Sequence, residues 1–421
     1  MTGTSWHEPT LTSNQTKVSL FYQIMLVVCL AEFCQGWIYG LNVPDWAIRQ
    51  PLRLASWIVM PVGMALYLGG GHDLGRIARV LAPFLPLWLI GIAAGAIGFS
   101  PITSFWLSFT WMAMGISAAL VSMNVPQKRI IDIVLWVFFV MMVGSIALSV
   151  TVPRYGTMLA NGVPVWRGLF TNKNVLGQIA ALALVIGLLM KDGDRKLVAW
   201  ATSAGAAVCL IYSDSKGGLA TGVSTYAILW LMPRLRARLS PAPAAIVLLF
   251  CLALMGFLAV VALPYVLELL HRDATLTGRT VIWEYYWAAI AHHPWLGMGP
   301  GAFTDQSAPT TITMRLVFML ARYGPIYTPH NAYLGVLGDT GVVGLIAFVG
   351  ALIGLGLITP LLHGTGMLNL LCSAACVTVL TNGIIETGHL FRQSAAFFII
   401  LLFHAAAIEE RFRAETLEGQ V

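Results

Sequence analysis

The chain has 421 residues, of which 58% are hydrophobic and only 10% charged, whereas a soluble domain carries roughly 25% charged residues to wet its surface. So little charge excludes a water-solvated globule and requires one solvated by lipid. The net charge of +6 is carried by cations placed singly between apolar segments, which excludes the clustered basic surface that nucleic acid needs.

An apolar run of about 20 residues crosses a hydrocarbon core of roughly 30 Å. On that measure about twelve spans are predicted. The first six are Leu20–Leu41, Leu52–Gly70, Ile77–Phe99, Thr103–Ser122, Ile130–Val152 and Asn174–Met190. The remaining ones are Leu197–Ser213, Gly217–Met232, Ala244–Tyr265, Ala332–Thr359, Met367–Ile385 and Ser394–Ile408. The first run could imitate a signal peptide, but the many later spans favour a retained helix. The cysteines Cys29, Cys34, Cys209, Cys251, Cys372 and Cys376 all fall in apolar stretches. Cys372 and Cys376 share a helix face with no histidine or carboxylate to complete a metal site, so buried thiols are expected.

Basic residues in short loops mark the cytoplasmic side. With the N-terminus inside, the inner loops hold Arg76 and Arg79, then Lys128 and Arg129, then Lys191, Arg195 and Lys196, then Arg234, Arg236 and Arg238. Arg411 and Arg413 follow in the tail, which places both termini in the cytoplasm. The expected organisation is a cytoplasmic tail over 1–19, nine spans over 20–265, an outer cap over 266–330, three spans over 331–408 and a tail over 409–421.

The outer side retains Arg49, Arg53, Arg154, Arg167, Lys173, Lys216, Arg272, Arg279, Arg315, Arg322 and Arg392. Several sit at or inside a span end, where an unpaired charge is costly and a cation implies an anion to meet. That anion is a protein carboxylate, a lipid headgroup or a substrate. The cap is far longer than the usual connection of about 4–6 residues and too rich in Pro and Gly to span. Within it Thr280–Ala291 shows helical apolar spacing at Val281, Trp283, Tyr286, Trp287 and Ile290, and Thr313–Leu320 is a second short amphipathic piece. Helices of this kind lie at the interface with their aromatics among the headgroups.

Four stretches stand out as sites for chemistry. Trp166-Arg-Gly-Leu-Phe-Thr-Asn-Lys-Asn-Val-Leu-Gly177 leads into the sixth span. Asn172 or Asn174 can cap that helix, and Lys173 lies where the helix dipole already favours an anion. Such an end beside a lysine is a phosphate site; the alternative is a cap with a snorkelling lysine. Ser213-Asp-Ser-Lys-Gly-Gly218 makes a tight outer turn that lifts Lys216 to the membrane face, with a Lys216–Asp214 pair as the structural alternative.

Thr277-Gly-Arg-Thr-Val-Ile-Trp-Glu284 continues through His292-His-Pro-Trp-Leu-Gly-Met-Gly-Pro-Gly301. Arg279 there opposes the dipole of its own helix, which suggests an outside partner or an ion pair with Glu284. Last, Pro329-His-Asn-Ala-Tyr333 precedes the tenth span, with Asp339 and Gly341 further along. Proline holds His330 at the membrane surface, and cations nearby would disfavour its protonated form. The alternative is a helix-end histidine beside an Asn331 cap. No His-Glu-x-x-His metal pair and no Gly-x-Ser-x-Gly elbow is present, so neither of these common hydrolase signatures competes.

At these residues the chain resembles the bacterial O-antigen ligase and Wzy-type polysaccharide polymerase superfamily. The resemblance rests on Arg-Gly-Leu-Phe-Thr-Asn-Lys-Asn-x-Leu-Gly, Ser-x-Ser-Lys, Gly-Arg-x-x-x-Trp with Pro-Trp-Leu-Gly-x-Gly, and His-Asn-x-Tyr-Leu, in order from Arg167 to Gly344. It implies a GT-C-type glycosyltransferase of the bacterial inner membrane, with its active site facing the periplasm. The donor would be a glycan on undecaprenyl diphosphate, the acceptor a glycan or lipid A core, and no cofactor or metal is expected. The family's functional positions map onto Lys216, Arg279 and His330. Lys216 stands where ligases commonly carry arginine, replacing a planar fork with a point charge. The first two motifs look most similar to ExoQ-type exopolysaccharide polymerases, which favours polymerase over ligase. On this reading Arg167, Lys173, Lys216, Arg279 and Arg322 bind the diphosphate and His330 is the base. Trp283, Tyr286, Trp287 and Trp295 are candidate sugar-stacking surfaces, or interface anchors. A lipid-linked glycan transporter is the alternative of another class.

Overall fold

The computed structural model describes residues 13–34, 49–160, 162–269, 279–302, 329–384, 386, 390 and 394–418. The chain is an all-α membrane protein. Its helices in order are α1 (Ser13–Cys34), α2 (Arg49–Gly69), α3 (Leu74–Leu81), α4 (Leu85–Ile97), α5 (Pro101–Asn124), α6 (Gln127–Thr151), α7 (Lys173–Leu189) and α8 (Lys196–Tyr212). They continue as α9 (Lys216–Arg236), α10 (Pro241–Leu269), α11 (Arg279–Ile290), α12 (Ala332–Ile353), α13 (Met367–Asn382) and α14 (Ala395–Glu418). Five helical stretches are long and apolar enough to cross a bilayer: Lys17–Cys34, Leu74–Ile97, Pro101–Asn124, Gln127–Thr151 and Ala332–His363. Shorter apolar helices include Lys173–Leu189, Lys196–Tyr212 and Met367–Asn382.

Side-chain caps set where these helices begin. Asp73 accepts from Gly75 N–H before α3, Asn172 from Asn174 and Val175 before α7, Ser215 from Gly218 before α9, and Asn331 from Leu334 before α12. Each cap satisfies amides that have no partner inside the helix. Arg234 and Arg236 occupy the last turn of α9, where cations suit the negative end of the dipole.

The basic loops meet in pairs at one end of the bundle. Arg76 on α3 pairs with Glu409 on α14, Lys128 with Asp194 at 2.6 Å, and Arg195 with Asp132 at 3.4 Å. The Lys128 ammonium beside Asp194 holds its carboxyl below the ordinary carboxylate range. Arg236 donates to Pro360 O at 3.3 Å, and Arg79 lies over the Phe412 ring at 4.6 Å.

Two features depart from the sequence expectation. The loop before α7 contains an antiparallel hairpin, β1 (Thr157–Ala160) with β2 (Val163–Trp166), in register Thr157↔Trp166. Its residues are too few and too rich in Pro and β-branched types to continue a helix. The tenth span is not one regular helix either. At Gly341 the backbone takes φ 67° and ψ −170°, and α12 kinks.

The peptide 294–302 fills that kink. Met298 and Gly299 N–H donate to Gly338 O and Asp339 O at 2.8 and 3.0 Å, while Val342 N–H donates to Pro294 O at 2.8 Å. Asp339 accepts from Gly301 N–H at 3.1 Å. On its other side the same peptide meets α4 and α5, through Phe99 N–H to Met298 O at 3.0 Å and Ser104 Oγ to Pro300 O at 2.8 Å. The glycine spacing of Leu-Gly-Met-Gly-Pro-Gly is thus a packing requirement, with Gly297, Gly299 and Gly301 all at positive φ. A Cβ on Gly341 would collide with the Trp295 carbonyl. Gly341→Ala should therefore destabilise the folded chain by on the order of 2–4 kcal/mol, combining left-handed strain with overpacking. Gly350→Ala, where a Cβ meets nothing within 4 Å, should not lower the unfolding midpoint in detergent, since alanine is favoured over glycine in a helix interior.

Candidate functional site

The end of the bundle opposite the basic loops collects residues from all four motif stretches. The first two are joined where α7 and α9 begin. A Cβ on Gly218 would stand 2.6 Å from Gly177 O, and one on Gly177 would collide with Ser215 Oγ. The glycines let two helix N-termini approach side by side. Lys173 and Lys216 are the first residues of those helices, so two lysines begin at two positive dipole ends that share one corner. Lys216 is exposed and Lys173 half-buried.

Lys173 Nζ lies 3.3 Å from Asp214 Oδ2 and 3.4 Å from Asp214 O. Asp214, which the turn offered to Lys216 on the structural alternative, is reached by a lysine of the neighbouring helix. Tertiary packing brings Lys173 within reach, and Asp214 is turned toward it by a backbone at φ 48°. That conformation is uncommon for a residue other than glycine.

Among the described residues His330 is the other besides Asp214 with positive φ and a side chain, also at 48°. Its backbone is held on both sides. Trp283 Nε1 of α11 donates to Pro329 O at 2.8 Å, Asn331 Nδ2 to Ile384 O at 3.1 Å, and Ala332 N–H to Gly383 O at 2.7 Å. Strain over-determined in this way clusters at functional sites. His330 Nδ1 faces Glu386 Oε2 at 3.4 Å, and Glu386 Oε1 accepts from Asn174 Nδ2 at 2.8 Å. The sequence expectation placed His330 close to cations; its described neighbour is a carboxylate, Glu386, which lies just after α13.

Glu386 is the residue that the sequence reading missed. It lies beyond the last motif, just after an apolar span, and offers no local pattern. The signal available was a lone carboxylate at the outer end of that span. Through it the stretch at Asn174, the turn at His330 and the end of α13 become one constellation.

The other expected site residues divide. Arg167 is half-buried and donates from Nε to Tyr155 O at 2.9 Å, so it braces the turn ahead of the hairpin. Beside it Trp166 stacks on Tyr212 with ring centroids 4.5 Å apart. Arg279 begins α11, but its side chain and the whole of Arg322 lie outside the described residues, as does the expected helix Thr313–Leu320. Tyr286 is 1% exposed and packs with Ile282, Ile290, Leu334 and Leu337, so it is a core residue with no ring face for a sugar. Trp283 is committed to Pro329, while Trp287 and Trp295 are exposed. Cys29, Cys34, Cys209, Cys372 and Cys376 are buried free thiols. Among the described residues no group of three or more His, Cys, Asp or Glu side chains is placed to hold a metal ion.

Comparison with known proteins agrees with the motif reading. Residues 201–349 match the family described as O-antigen ligase. The chain is 31% identical over 193 residues to the exopolysaccharide production protein ExoQ of Rhizobium meliloti, covering 42% of this chain and 43% of that protein. It is also 27% identical over 197 residues to a putative multidrug resistance protein, MdtD, of Klebsiella pneumoniae, covering 42% of this chain and 39% of that protein. The chain thus spans less than half the length of the curated relatives it matches. No solved structure matches. The first two findings support the O-antigen ligase, Wzy and ExoQ-like superfamily for this chain. The family match includes Lys216, Arg279 and His330 but stops short of Lys173 on one side and Glu386 on the other.

The contact between α7 and α9 tolerates no extra atoms. Gly218→Ala should spread the two helix N-termini and lower the stability of the folded chain by on the order of 1–3 kcal/mol. The unfolding midpoint of the purified chain in detergent measures it.

Proposed function

We propose that this chain is an inverting membrane glycosyltransferase of the O-antigen ligase and polymerase type. It moves a glycan from undecaprenyl diphosphate to an acceptor sugar hydroxyl at the periplasmic face of the bacterial inner membrane. The observation that carries the reading is the meeting of two lysine-bearing helix N-termini with a conformationally strained histidine through Asn174 and Glu386. Paired N-termini with lysines suit a diphosphate, and a histidine fixed beside them suits a base.

The acceptor oxygen attacks the anomeric carbon from the face opposite the diphosphate. As the new C–O bond forms, the hydroxyl proton passes to His330. The bond from the anomeric carbon to the diphosphate oxygen breaks, and its electron pair leaves with undecaprenyl diphosphate. Lys173 and Lys216, with Arg279 and Arg322 from the cap, stabilise the negative charge growing on that leaving group. His330 then returns its proton to solvent or to the departing diphosphate. Cationic side chains perform the neutralisation here, so the step as proposed requires no divalent ion. Back-side displacement inverts the anomeric configuration. Trp287 and Trp295 are the exposed aromatics left to carry sugar.

Similarity to ExoQ favours a polymerase, whose acceptor is another lipid-linked glycan. The family description favours a ligase, whose acceptor is lipid A core. A transporter of lipid-linked glycan is a reading of another class, favoured by the similarity to MdtD.

His330→Ala should lower the rate of transfer by about 10²- to 10⁴-fold, the range of general-base catalysis, with donor binding retained. Lys216→Ala should weaken donor binding instead. Gel and mass analysis of the glycans in a deletion strain sorts the alternatives. Single repeat units left on lipid carriers mean polymerase, and long lipid-linked chains beside bare lipid A core mean ligase. Glycan carried across sealed vesicles with no new glycosidic bond means transporter and rejects the enzyme.

A further inference from the structure

We infer that Glu386 is the positioning residue of this site, holding the His330 ring in the one orientation and tautomer that can take the acceptor's proton. The inference rests on the proposed role of His330 and extends it to a residue outside the matched family segment and outside every motif.

The backbone around His330 leaves its ring little freedom except rotation about the side-chain bonds. Pro329 O is held by Trp283, Asn331 reaches Ile384 O, and Ala332 N–H is bonded to Gly383 O. Glu386 stops the remaining rotation, with Oε2 at 3.4 Å from Nδ1. An ionised carboxylate only accepts, so this contact places the ring proton on Nδ1 and leaves Nε2 as the acceptor. The carboxylate is itself oriented: Asn174 Nδ2, one residue after Lys173, donates to Oε1 at 2.8 Å. A base whose second nitrogen is held by an oriented carboxylate is the arrangement that fixes histidine tautomers in hydrolase triads, where the carboxylate also stabilises the imidazolium as it forms.

The connection to Asn174 gives Glu386 a second consequence. Lys173, Asp214 and the α7 N-terminus move with Asn174, so the proton-accepting side and the diphosphate side keep a constant separation. Glu386 lies at that junction, half-buried with its side chain 13% exposed. It touches no substrate in this scheme; it acts through His330.

The test compares the full-length wild type with H330A, E386Q and E386D, using undecaprenyl-diphosphate-linked repeat units extracted from a deletion strain as donor. Formation of glycosidic bonds is followed across donor concentrations, and the unfolding midpoint is recorded for each protein. E386Q keeps the shape and the acceptor for Asn174 but loses the charge. Its kcat should fall by about 10²-fold, the lower end of general-base effects, with donor KM within about twofold and the midpoint unchanged. E386D, which keeps the charge, should recover part of that loss. Wild-type turnover in E386Q beside an inactive H330A overturns the inference and leaves the base assignment standing. Equal loss in E386Q and E386D together with a lowered midpoint also overturns it, since the carboxylate then only holds the fold. Full activity in H330A rejects the base and this inference with it.

Discussion

A backbone amide in hydrocarbon has no water to turn to, so each peptide group must find its partner inside the protein. Helices meet that demand everywhere except at their ends and at breaks, and in this chain the ends and the one broken helix of the candidate site are where polar residues gather. The kink at Gly341 leaves carbonyls of Gly338 and Asp339 without helical partners, and the peptide 294–302 supplies amides to both. That repair explains how the cap is fastened to the bundle. It also carries α11 onto α12, through Ile282, Tyr286 and Ile290 against Leu334 and Leu337.

The same demand shapes the corner where the lysines meet. The first amides of α7 and α9 are partly satisfied by Asn172 and Ser215, and the rest still present positive dipole ends. Bringing two such ends together is electrostatically unfavourable unless an anion lies between or beside them. Asp214 answers part of that charge by pairing with Lys173. Glu386 answers another part through Asn174. A lipid diphosphate, with more charge than either carboxylate, is the substrate class proposed for this corner.

The two ends of the molecule use their charges differently. At the end with the basic loops, each of Arg76, Lys128 and Arg195 has a carboxylate partner on a neighbouring element, and these pairs tie α3, α6 and α14 into the bundle. At the other end the carboxylates serve to place a histidine and a lysine. The first arrangement is a set of clasps; the second brings polar side chains of separate elements together at the candidate site.

Fold class follows from apolar run length, because lipid imposes it along the chain itself. The roles of Lys173, Lys216 and His330 as polar residues at span ends were legible for the same reason: charge near hydrocarbon is conspicuous. Tyr286 was misjudged because an aromatic on an amphipathic cap helix reads alike whether its ring faces sugar or core, and only packing against α12 decides. The 157–166 hairpin and the Gly341 kink escaped because short strands and helix breaks depend on what fills the space beside them. Glu386 escaped because its meaning lies in Asn174 and His330, which approach it only in three dimensions. Local composition thus determined what this chain is solvated by and where its polar ends lie. Tertiary structure alone decided which of those ends face one another, since hydrogen bonds and ion pairs act over a few ångströms of space and not along the sequence.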